Sequence, residues 1–151
     1  MAEFTVKIKY LHQQLGKTIP APQRMSEHAA GFDVAAALDA PITIKQGERF
    51  LVPCGFSMAI APGYEAQMRP RSGLAIKNGV TLLNSPGTID SDYRGEVKAI
   101  VVNHGHKPFT VEPGQRIAQM VFARIHAPEL QVVFELDDTK RGDGGFGSTK
   151  V

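Results

Sequence analysis

Nine glycines, Gly47, Gly55, Gly63, Gly73, Gly79, Gly87, Gly95, Gly105 and Gly114, recur six to ten residues apart through the middle of the chain. A chain interrupted this often cannot build long helices. Between the glycines lie short runs rich in β-branched and apolar residues: Pro41 to Lys45, Arg49 to Pro53, Ser57 to Ala61, Val80 to Leu83, Val97 to Asn103, Phe109 to Val111 and Ile117 to Ile125. The opening FTVKIKYL alternates in the same way. Short strands with a turn signal every eight to ten residues predict an all-β fold, a jelly-roll-like barrel or sandwich. One segment breaks the pattern. Arg71 to Asn78, with Ser72 as N-cap and Gly79 as stop, predicts a single helix of about two turns.

With 151 residues, 42% hydrophobic and 21% charged, the chain suits one ordinary domain able to build a core without disulfides. We place that domain at residues 1–136. From Asp137 the sequence DDTKRGDGGFGSTKV turns glycine-rich and polar, so residues 137–151 are expected to form a mobile arm. Formal net charge is +2, with no basic run that would suit nucleic acid or a membrane surface. No apolar stretch approaches the ~18 residues of a membrane span, and the N-terminus lacks the apolar core of a signal peptide. The single cysteine, Cys54, fits a reducing, cytoplasmic setting and, within FLVPCGF, a buried structural thiol.

Three places carry candidate chemistry. Gly142, Gly144 and Gly147 fit the dinucleotide fingerprint by spacing, but that motif must open a helix after a strand, and the chain ends too soon. The arm is left with Lys140, Arg141, Ser148, Thr149 and glycine backbone, either a loose tail or a flap that closes on phosphate. The helix start at Arg71, Ser72 and Gly73 is either an ordinary surface helix or an anion grip. The densest stretch is NSPGTIDSDYRGE, residues 84–96. It sets Asp90, Asp92 and Glu96 beside Tyr93, Arg94 and Asn84, as a solvent-facing turn or as a base, a wall and a base-reading amide. His104 and His106 have neither a cysteine nor a third histidine to complete a zinc site, and no Walker A lysine or G-x-S-x-G elbow occurs.

Five strings in fixed order decide between these readings: AAGFDVAAA at 29–37, PRSGLAIKNG at 70–79, NSPGTIDSDYRGEV at 84–97, GQRIAQMVF at 114–122 and RGDGGFGSTK at 141–150. Together they resemble the motifs of the trimeric dUTPases over nearly the whole chain. Val34 stands where that family usually has leucine, and Lys150 where glycine commonly ends the last motif. The resemblance implies a β jelly roll, a homotrimer with shared active sites, and hydrolysis of dUTP with Mg²⁺. It implies Asp90 as general base and Arg71, Ser72, Gly73 and Gln119 on the phosphates. Asn84 and backbone near Thr88, Ile89 and Lys98 would read uracil, with Tyr93 against deoxyribose. Arg141, Ser148 and Thr149 would close from the arm, with Phe146 stacked on the base. Asp33 would lie near the metal through water, or simply pin its turn. Alternatives are a dCTP deaminase relative, for which Glu96 is the nearest candidate acid, and a dUTP-sensing binding module.

Overall fold

The structure is a computed structural model, which describes residues 4–146. Among the described residues eleven strands and one helix follow one another: β1 (Lys7–Tyr10), β2 (Phe32–Ala35), β3 (Ile42–Ile44), β4 (Arg49–Pro53), β5 (Phe56–Ala59), β6 (Tyr64–Arg69), α1 (Ser72–Asn78), β7 (Val80–Leu82), β8 (Gly87–Ile89), β9 (Lys98–Asn103), β10 (Phe109–Val111) and β11 (Arg116–Arg124). The sheets have the orders β2-β11-β6-β8, β4-β9-β7, β1-β5 and β10-β3, every pairing antiparallel. One apolar cluster draws on all four, with Val34, Val52, Phe56, Met68, Val101, Val111 and Met120 among its members. No continuous ladder closes the sheets into a barrel among the described residues, which fits the sandwich form of the expected jelly roll.

The expected strands at 49–53 and 109–111 match to the residue, and the others lie within one or two residues of prediction, or three at the N-terminal end. Three strands were not foreseen. β6, YEAQMR, consists largely of helix formers, yet it lies between β11 and β8, and pairing on both edges overrides its weak β preference. β2 and β8 were read only as motif text.

The helix is where expected, but its cap is not. Arg71 holds the N-cap position in extended backbone, and no side chain caps the helix. Ser72 is the first helical residue, because the cap position falls on the residue after Pro70. Gly79 ends the helix as predicted, left-handed at φ 67° and donating to the carbonyls of Ala75 and Leu74.

Cys54 is fully buried. Desolvation, helped by the negative charge of Glu96 and opposed by a backbone hydrogen bond at Ala99, pushes its thiol up to about 12. The folded state therefore keeps a proton that the unfolded chain releases above its ordinary value near 9.0. This contribution to stability is complete below pH 9 and is lost as pH climbs towards 12. In native protein at pH 8 a thiol-specific alkylating reagent is expected to leave Cys54 unmodified, and in denaturant to label one site per chain by mass spectrometry.

Candidate active site

The register of the four-stranded sheet creates a polar corner. Gln119 on β11 lies opposite Asp33 on β2 and opposite Arg69 on β6, so these three occupy one row. The chain leaves β6 through Pro70 and reaches Arg71 beside that row. Asp33 Oδ2 lies 3.3 Å from Arg71 Nη2 and 3.3 Å from Arg116 Nη1. Arg71 Nη1 also donates to the Arg116 carbonyl at 3.1 Å. Gln119 Nε2 donates to the Pro70 carbonyl at 3.0 Å, which fixes the turn that delivers Arg71. Gly31 lies against this side chain: a Cβ there would stand 2.5 Å from Gln119 Oε1, so the amide would have to shift. Two guanidinium groups share one carboxylate, so the corner keeps a net positive charge, and both cations are partly exposed. The space beside Gly73 is open. This is the electrostatic outline of an anion grip.

The second group lies in the hairpin between β8 and β9. Asp90 follows β8 directly, exposed and free of ion pairs among the described residues. Tyr93 N–H donates to the Asp90 carbonyl at 3.2 Å, and Tyr93 Oη donates to the Glu96 carbonyl at 3.1 Å. These two bonds hold the ring across Gly95, where any side chain would collide with it. Arg94 braces the turn from its side by donating to the Ser91 and Tyr93 carbonyls. Asn84 lies close over Gly87, whose absent Cβ leaves room for the amide. Thr88 is exposed, Ile89 is buried, and Lys98 opens β9 with its ammonium 3.7 Å from Glu96 Oε2. Glu96 Oε1 accepts from the Gly55 N–H at 3.1 Å, so this carboxylate is a strut between the hairpin and the β4–β5 turn.

Within one chain the two groups stay apart. Ile89 pairs with Ala66 and Gln119 with Arg69. Asp90 is thus displaced from the Gln119 row by roughly 10–13 Å along the strands and about 10 Å across two strand spacings. The described part of the arm, residues 137–146, joins neither group. Arg141 donates to the carbonyl of Gly144 in its own turn, and Phe146 is fully exposed. Ser148 and Thr149 lie outside the described residues, as does Lys150. No group of three or more His, Cys, Asp or Glu side chains suited to a metal ion occurs among the described residues.

The dUTPase family profile matches residues 17–150. The chain belongs to the dUTPase family. It is 52% identical over 149 residues to a deoxyuridine 5'-triphosphate nucleotidohydrolase of Syntrophotalea carbinolica, covering 99% of each chain. An enzyme of the same name from Caldanaerobacter subterraneus subsp. tengcongensis is 50% identical over 147 residues, 97% of this chain and 99% of that one. The solved structure of the Staphylococcus bacteriophage 80alpha dUTPase with dUPNHPP superposes with a TM-score of 0.84 at 25% identity, covering 97% and 99% of the two chains. The dUTPase match takes in the cationic corner, the hairpin and the described part of the arm, and leaves β1 outside it.

Sequence reasoning missed two features of this dUTPase. Arg116 was read only as part of a motif, although an arginine opening an apolar strand signals a need for a partner. Residues 130–136, LQVVFEL, place Leu130, Val132, Phe134 and Leu136 at alternate positions, all strongly exposed and outside every sheet. Their period of two was the available signal.

Asp33→Asn should leave Arg71 and Arg116 without their shared counter-charge. We expect a loss of about 1–3 kcal/mol, within the range for hydrogen bonds to charged groups. Urea denaturation should show a lower midpoint at an unchanged slope.

Proposed function

We propose that this dUTPase hydrolyses dUTP to dUMP and pyrophosphate, which lowers dUTP available for incorporation into DNA and supplies dUMP for thymidylate synthesis. The observation that carries the reading is end-to-end identity near one half with deoxyuridine 5'-triphosphate nucleotidohydrolases. Asp90 orients water and takes its proton as the water oxygen attacks the α-phosphorus. The bond to the bridging oxygen breaks, and pyrophosphate leaves with that electron pair. An exposed carboxylate without a competing ion pair suits this task. Arg71, Ser72 and Gly73 bind phosphate oxygens; Gln119, expected on the phosphates as well, has its amide nitrogen on the Pro70 carbonyl and acts by positioning Arg71 through that turn. Asn84 and the backbone of Thr88, Ile89 and Lys98 read uracil, and the fixed Tyr93 ring walls the deoxyribose.

No cluster of His, Cys, Asp or Glu side chains suited to a metal occurs among the described residues, which fits a Mg²⁺ that the triphosphate, and not a protein cage, would hold. When bound it neutralises charge that develops on the phosphates. Asp33 acts in this reading as the counter-ion that sets Arg71 and Arg116, the turn-pinning alternative of its two expected roles. Residues 137–151 close the site as an arm, with Arg141, Ser148 and Thr149 on phosphate and Phe146 over the base. The enzyme works in the cytoplasm. The deaminase alternative is disfavoured by Glu96, whose two oxygens are committed to Gly55 and Lys98.

A homotrimer with shared sites accounts for the separation of hairpin and cationic corner, each chain supplying one part to a neighbour. The exposed stripe of Leu130, Val132, Phe134 and Leu136 supplies apolar surface for such an assembly.

The wild-type chain is expected to release pyrophosphate from dUTP but not from dCTP or dTTP in a coupled assay. Asp90→Asn should lower kcat by about 10²–10⁴, the usual weight of a general base, while calorimetry shows near-native binding of a non-hydrolysable dUTP analogue.

Sharing of sites has its own test. Asp90→Asn and Arg71→Ala chains, each inactive alone, are unfolded, mixed in equal amounts and refolded together. If each site joins one chain's hairpin to another's Arg71, about one quarter of all sites regain both groups in random assembly. Sites built within a single chain would regain nothing.

A further inference from the structure

Away from the hairpin and the Asp33 corner, the last turn of α1 and the loop between β9 and β10 flank an open cleft of about 450 Å³. Lys77, His104, His106 and Lys107 line it, together with the backbone of Gly79 and Gly105, and neither an aspartate nor a glutamate does. None of these four side chains makes an ion pair among the described residues. In the proposed active site, by contrast, Arg71, Arg116 and Lys98 each have a carboxylate partner.

The loop that carries three of the four is rigidly built. Asn103 is fully buried, and its amide nitrogen donates to the Ile44 and Lys107 carbonyls at 2.9 Å each. Its carbonyl oxygen accepts from the Gly105 N–H at 2.9 Å. His104 N–H donates to the Gly79 carbonyl at 2.9 Å, tying the loop to the helix end. Gly79 and Gly105 approach so closely that a Cβ on Gly79 would stand 2.7 Å from Gly105 Cα. The bonds of Asn103 fix the loop that carries His104, His106 and Lys107, and the His104–Gly79 bond sets it against the helix end that carries Lys77. No carboxylate lines the space to offset the two ammonium groups, an arrangement that suits a preorganised anion site.

We propose that this cleft binds a small phosphate-bearing anion at a site separate from that of dUTP hydrolysis. Lys77 and Lys107 supply two positive charges, and the imidazoles of His104 and His106 supply ring N–H donors. The volume lies within the range of small-molecule pockets and exceeds what a halide fills. Two ammonium groups repel a divalent cation, and no carboxylate or thiol is present to offset them. The site lies at the far end of α1 from Arg71, about 10 Å away for seven residues of helix.

The test follows the ring-proton resonances of the chain's five histidines during titration with pyrophosphate at constant ionic strength, with His104→Gln and His106→Gln assigning the two signals. The expected result is a saturable shift of both signals, weakened at least tenfold in Lys77→Gln/Lys107→Gln protein of native thermal stability. Pyrophosphate held at the hydrolytic site would not produce this pattern, since the readout is local to the loop. The proposal is overturned if neither signal moves at millimolar pyrophosphate. It is equally overturned if the double variant responds as the wild type does, or if sodium chloride of equal ionic strength reproduces the shift.

Discussion

Asp33 holds Arg71 and Arg116 on a single carboxylate oxygen, and much of the geometry around the cationic corner depends on that sharing. The three residues come from β2, from the turn before α1 and from β11, so the contact joins segments far apart in sequence at one end of one sheet. Without the carboxylate, two guanidinium groups at this separation would repel, and Arg71 would have only the Arg116 carbonyl to orient it. With it, Arg71 is held in place while its remaining N–H groups stay uncommitted among the described residues. Gln119 acts on the same turn by a different route. It receives no charge and holds only a backbone carbonyl, so the position of the turn and the charge on it are set independently.

The hairpin is stabilised by the opposite strategy. Its turn is held by neutral or backbone-directed bonds from Tyr93 and Arg94, and its one firm electrostatic link to the body is Glu96. That carboxylate reaches the Gly55 N–H, and the Gly55 carbonyl in turn accepts from Leu11 and His12. The negative charge of Glu96 also helps keep the neighbouring Cys54 thiol protonated. A buried thiol, an acidic strut and a glycine turn thus form one structural unit beneath the hairpin, and the Asp90 carboxylate stays outside it.

Most strands were legible because glycine turns and β-branched runs are local signals, read correctly at β4, β7, β9, β10 and β11. β6 was not, because its place in the sheet comes from partners on both sides and not from its own composition. The N-cap was misplaced by one residue for a related reason: Ser72 is a good cap in isolation, but Pro70 and the pull of Asp33 on Arg71 set where the extended backbone ends. At the candidate site the motif strings pointed to Arg71, Gln119, Asp90 and Tyr93. The sequence did not reveal that Gln119 bonds to Pro70, that Arg116 completes the Asp33 cluster, or that Glu96 is a strut. Those are contacts between segments 41 to 83 residues apart in the chain, which no local pattern encodes.

The separation of corner and hairpin bears on assembly as well as catalysis. A single chain leaves Leu130, Val132, Phe134 and Leu136 in water at alternate positions. Burying each would contribute on the order of 1.5–3 kcal/mol. Four such side chains would offset a substantial part of the entropy lost when chains associate. The spacing of two residues suits addition to a sheet edge, where only one face of the added strand needs an apolar partner. In the proposed trimer, the segment that leads from β11 to the arm is therefore the one whose burial favours assembly. The glycine-rich residues that follow it would then start from a neighbouring subunit's surface, close to a site their own chain does not complete. Coupling the arm's delivery to assembly in this way would leave an isolated chain without a competent site, so hydrolysis would depend on subunit concentration as well as on substrate.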